Sequence, residues 1–193
     1  IHEDTYCMFA RFEQRGRLYL LYGNHNIVRK KNPAFLEALI LQSASMPEKT
    51  LYLTHGHQAS LLNSTFWPIA RFLVRYFWSP LENLGFLDPT SAAKNYEVKE
   101  KCEESLRSWA EAHHHILITG HTHRPVLPEE PSFYYNTGSC VHPRCITCIE
   151  IQRGELTLVK WTMNARVDST LYVAREVISG PVKLLDNGEN RSC

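Results

Sequence analysis

Three short clusters hold the side chains of this chain that are best suited to chemistry: Gly23-Asn24-His25-Asn26, Thr54-His55-Gly56-His57 and Gly120-His121-Thr122-His123-Arg124-Pro125. Neutral imidazoles and an amide carbonyl are ligands for divalent transition ions such as Mn, Fe, Ni or Zn. Two such ions about 3.5–4 Å apart clamp a phosphoryl group, activate a water and steady the leaving oxygen. A centre of that kind draws its ligands from several strand ends and usually needs a bridging carboxylate.

For these clusters to meet, the elements before them must deliver them to one edge of a sheet. Each cluster follows a run that reads as a buried strand: Leu18-Tyr19-Leu20-Leu21-Tyr22, Leu51-Tyr52-Leu53 and Ile116-Leu117-Ile118-Thr119. In open α/β sheets, ligands gather at strand ends. Tyr6, Phe9 and Phe12 stand at helical spacing ahead of the first strand, and Gly16 ends that pattern. Pro33 predicts the start of a helix to about Leu41, with Phe35, Leu36, Leu39 and Ile40 as its apolar face. Strand, helix and strand in that order imply a β-α-β unit with neighbouring parallel strands.

Residues 59–112 are expected to interrupt the sheet as a helical insertion or cap. The block from Phe66 to Trp78 is densely aromatic, and its charges, Arg71 and Arg75, share one helix face. Three readings of it stay open: core of the insertion, a cap with arginines available for phosphate, or a lipid-facing surface. A polar helix is predicted from about Ser91 to Ala112. Downstream the chain reads as mostly β. Ile146–Ile151, the turn Gln152-Arg153-Gly154 and Leu156–Trp161 form a hairpin pattern. A last strand is expected near 170–177, and residues 186–193 read as a disordered tail.

The order and wording of the three clusters resemble the calcineurin-like metallophosphoesterase superfamily. Gly-Asn-His, a strand-end histidine and Gly-His-x-His are three of its five ordered motifs, and Gly120-His121-Thr122-His123-Arg124-Pro125 is the most specific match. The resemblance covers almost the whole chain. It implies an α/β fold: a two-sheet sandwich flanked by helices. It also implies hydrolysis of a phosphate mono- or diester through a dinuclear metal centre and metal-bound hydroxide. Asn24, His55 and His121 would hold one ion and His123 the other. Manganese is the first choice, with Fe, Ni or Zn as alternatives. His25 would be the general acid, and Arg124 would bind substrate. His57 would lie behind the ligands or touch substrate.

Two departures from that pattern matter. Asn26 stands where the family carries Asp or Glu, and an amide stabilises an imidazolium less well than a carboxylate does. The family's Asp-x-His and Gly-Asp-x-x motifs do not precede Gly23. Residues 1–17 resemble the helix that follows those motifs, so a missing N-terminal portion is expected, with a sheet edge left uncovered. A catalytically incompetent relative serving as a binding or scaffold module is therefore the alternative reading. Within the superfamily, the helical insertion resembles the UDP-2,3-diacylglucosamine hydrolase branch, which implies a lipid-linked nucleotide pyrophosphate as the alternative substrate.

The remaining residues narrow the classes. The 193 residues suit one domain with a sizeable core, and the charge of +1 carries no strong nucleic-acid signal. A nuclease reading lacks a basic stripe. No run reaches the roughly 18 apolar residues of a membrane span. Partners are therefore expected to be phosphorylated small molecules, lipids or proteins, with oligomerisation open. No secretion signal is recognisable, so a cytoplasmic chain with reduced thiols is expected. Cys140, Cys145 and Cys148 have some zinc-like spacing, but Cys145–Ile151 reads as a strand. His2, His113, His114 and His142 read as structural, and His115 as packing at a strand start. The run Asn136-Thr137-Gly138-Ser139 reads either as a plain glycine turn or as backbone support for the last cluster.

Overall fold

The computed structural model describes residues 3–42, 50–59, 96–142 and 144–184, without the side chain of His25. Among the described residues it is a mixed α/β structure with three sheets and no closed barrel. Most of the expected insertion, residues 60–95, and the expected tail at 186–193 lie outside the described residues, as do His2 and Arg71 and Arg75 of the aromatic block.

Helix α1, Glu3–Gln14, begins with Glu3 and Asp4 and carries Arg11 in its last turn, charges that complement the helix dipole. None of its residues is buried, and the expected face of Tyr6, Phe9 and Phe12 is exposed. Strand β1, Leu20–Leu21, is shorter than the apolar run containing it and pairs in parallel with β2, Phe35–Leu36.

The helix expected from Pro33 to Leu41 does not form. After β2 the chain makes β3, Ala38–Gln42, which pairs antiparallel with β4, Thr50–Thr54. The Asn32 side chain accepts the Ala34 N–H at 3.0 Å, an Asx turn that starts an extended path. A short apolar run fits either period, and pairing with β4 satisfies its backbone groups. The expected parallel β-α-β unit is therefore replaced by an antiparallel pair.

The principal sheet runs β3-β4-β5-β7-β6, with β5 at Ile116–Thr119, β6 at Pro125–Val126 and β7 at Tyr134–Thr137. Its central strands β4, β5 and β7 are parallel, and both edge strands run antiparallel to their neighbours. Helix α2, Tyr96–His113, leads into β5. The second large sheet is an antiparallel meander of β8, Cys145–Gln152, β9, Glu155–Ala165, and β10, Leu171–Lys183. Its first hairpin turns at Arg153 (φ 53°) and Gly154 (φ 79°). Two successive positive φ values make the tight turn whose twist suits a hairpin. Cys145 and Cys148 lie three apart on β8, so strand alternation directs them to opposite faces.

The same alternation builds the layers. Ile116, Ile118 and Tyr135 join Leu51, Leu156, Leu158 and Val182 in a core shared by the two large sheets. Leu117 and Tyr134 face the other way and pack with Cys102, Leu106 and Ala110 of α2. The order is thus helix, five-stranded sheet, three-stranded sheet. Among the described residues, no helix is long and apolar enough to cross a membrane.

Candidate functional site

The three clusters leave the ends of β1, β4 and β5. Gly23 comes so close to His55 that a Cβ there would stand 2.5 Å from the ring's Nε2 and Cδ2. Only glycine admits an imidazole at that distance. The His55 ring lies 5.1 Å from that of His121 and 5.3 Å from that of His57, centroid to centroid. A backbone bond from the Gly120 N–H to the His55 carbonyl, 3.1 Å, joins the second loop to the third. The structure therefore brings the second and third clusters together and sets the backbone of the first against them.

Each loop has its own brace. The Asn26 side-chain oxygen accepts the Gly23 N–H at 2.5 Å, closing the turn that opens the short helical segment Asn24–Lys31. The Asn24 side-chain oxygen is buried and has no hydrogen-bond partner among the described residues. His57 is buried, and desolvation lowers its pKa, opposed by the nearby charge of Glu37. Its ring lies 5.9 Å from that of Tyr22, whose hydroxyl pKa is raised by burial and by its hydrogen bond with Glu37. Cys102 of α2 sits with its sulfur 3.8 Å from the Gly56 carbonyl. Burial and the adjacent Glu103 push that thiol up to about 11, which keeps the S–H available as a donor.

The third loop is held most firmly. Asn136 is fully buried, and its Nδ2 stands 2.9 Å from the Gly120 carbonyl and 3.2 Å from Thr122 Oγ1. Its side-chain oxygen accepts the Gly138 N–H at 2.9 Å. Of the two readings of this run, support for the last cluster holds for Asn136, through its side chain and not its backbone. The Thr122 hydroxyl donates to the buried carboxylate of Glu103 at 2.7 Å, and Arg124 pairs with the same carboxylate at 3.4 Å. His121 is buried, whereas His123 and Arg124 are exposed. The side chain of His25 lies outside the described residues.

Two imidazoles and one amide oxygen suit a divalent transition ion, and the buried oxygen of Asn24 is a donor of the right kind. Among the described residues, no three His, Cys, Asp or Glu side chains are arranged to hold an ion. Asn24, His55 and His121 carry donor atoms of the types such an ion takes.

Sequence reasoning passed over Glu37, Glu103 and the side chain of Asn136. Glu37 fell inside a helix that does not form. Glu103 was one of several acidic residues on a polar helix. Its signal was its spacing, three residues before Leu106 and seven before Ala110, both of which face the sheet. Among the histidines expected to be structural or to pack, His115 stacks on Tyr52 at 4.2 Å and His113 on Trp109 at 4.7 Å. No protein-family model, curated protein or solved structure matches the chain.

Proposed function

We propose that this chain carries the metal-binding half of a calcineurin-like metallophosphoesterase site and acts in metal-dependent hydrolysis of a phosphate mono- or diester. The observation that carries this reading is the approach of the Gly23 backbone, His55 and His121 at adjoining strand ends, with a buried amide oxygen on Asn24. The layered α/β arrangement supports it, because a metallophosphoesterase sandwich needs two sheets sharing a core and a helix outside. A divalent ion bound there would supply Lewis-acid polarisation of a phosphoryl oxygen and a nucleophilic water.

The chain's own residues supply the rest. Asn24, His55 and His121 bind the ion and set its place. Desolvation favours the neutral form of His57, whose ring lies 5.3 Å from that of His55. Arg124, exposed next to the third cluster, is positioned to meet an anionic substrate while anchored on Glu103. His25 is the proposed proton donor to the leaving alkoxide. The proposed substrates are phosphorylated small molecules, lipids or proteins, with a lipid-linked nucleotide pyrophosphate as the narrower alternative.

A second reading is a non-hydrolytic binding or scaffold module. It is favoured by Asn26, whose side-chain oxygen is engaged by the Gly23 N–H, where a carboxylate would have stabilised a protonated histidine.

Calorimetric titration of the chain with Mn2+, alongside Asn24→Ala, His55→Ala and His121→Ala, tests the ion site. Hydrolysis of p-nitrophenyl phosphate and its diester, with and without chelator, tests the reaction. Binding lost in all three variants, with chelator-sensitive turnover, is the expected result. Folded protein that binds no ion would sink the reading. Binding without turnover of any mono- or diester would leave the scaffold reading.

A further inference from the structure

We infer that Glu103 is a positioning residue of this site, setting the backbone of the His121-Thr122-His123 turn from the rigid face of α2. His121 (φ 68°) and His123 (φ 58°) both adopt the left-handed conformation, and neither is glycine. Two such residues flanking a single position persist only when their surroundings dictate them. Thr122, between them, is fully buried and donates its hydroxyl to Glu103 at 2.7 Å. Arg124, the next residue after His123, contacts the second oxygen of the same carboxylate at 3.4 Å. One buried carboxylate therefore holds the chain on both sides of His123 and directly after His121. Asn136 fixes the start of the turn at Gly120.

Charge makes these bonds stronger than neutral ones. A carboxylate on a long helix packed through Leu106 and Ala110 is also a firmer support than one on a loop. Glu103 acts on the turn through Thr122 and Arg124. The effect on ion binding rests on the proposed ligand role of His121. The effect on the turn does not.

Two readouts separate these levels. An intraresidue HN–Hα NOE is strong at positive φ, so NMR reads the conformation of His121 and His123 directly, without any ion. Mn2+ titration reads the consequence. In Glu103→Gln, both NOEs are expected to weaken and Mn2+ affinity to fall about 10–100-fold, as for other outer supports of metal ligands. Glu104→Gln, exposed on the same helix, is expected to change neither. Should Glu103→Gln fail to fold, Thr122→Val is read in its place, with Thr122→Ser expected to restore the turn. Strong NOEs retained in a folded variant overturn the inference, as does their absence from the wild type. If the wild type binds no Mn2+, the functional reading falls and the NOEs alone decide the role of Glu103.

Discussion

At the scale of single residues, the site depends on what small or polar side chains permit around the histidines. Gly23 contributes by absence: any Cβ would overlap the His55 ring at 2.5 Å. Gly23→Ala is therefore expected to push His55 off its position, cost about 1–3 kcal/mol as an overpacked contact, and weaken Mn2+ binding. Chemical denaturation and titration measure the two effects, and an unchanged affinity would show that His55 is not an ion ligand. Glu103 and Asn136 contribute by engagement. Each is buried and bonds to the third loop, where a lost partner would leave a buried group unpaired.

At the scale of elements, α2 is the part that joins core and site. Its apolar face, Cys102, Leu106 and Ala110, packs on Leu117 and Tyr134, while Glu103 reaches the turn beyond β5. Ala110 is fully buried, so the helix sits as close to the sheet as a methyl side chain allows. Ala110→Leu is expected to lift α2, destabilise the protein by about 1–3 kcal/mol and relax the Thr122–Glu103 bond. The denaturation midpoint and the amide resonances around Thr122 report both changes. Destabilisation with an unmoved turn would separate packing from site geometry. The strand β3 makes the opposite point. Its apolar residues satisfied a helical period equally well, and only the free edge of β4 made them a strand.

At the scale of the whole molecule, the two large sheets share one apolar core. The structure should therefore open as a unit rather than sheet by sheet. Leu156 on β9 is fully buried in that shared core. Leu156→Ala is expected to cost about 2–5 kcal/mol. It is also expected to speed hydrogen exchange by a similar factor in β5 and β9. Acceleration confined to β8, β9 and β10 would mean that the sheets open independently. Apolar side chains also remain exposed on α1 and β10, among them Tyr6, Leu171, Val173 and Val177.

Much of this was legible in the sequence where local chemistry dictates the outcome. The hairpin at Arg153-Gly154, the strand 116–119 and the polar helix leading to it follow from alternation, turn residues and helical spacing, which act over a few neighbouring positions. The positions of the three clusters after strands were legible for the same reason, whereas the grouping of His55 with His121 was expected from the family resemblance alone. What the tertiary structure alone decided depends on partners distant in sequence. It made 38–42 a strand, because β4 offered an edge. It left the apolar face of α1 exposed. It singled out Glu103 from its acidic neighbours, because burial against β5 brings that one carboxylate to Thr122 and Arg124. A side chain's type and spacing set what it can bond to, and only the fold sets what stands within reach.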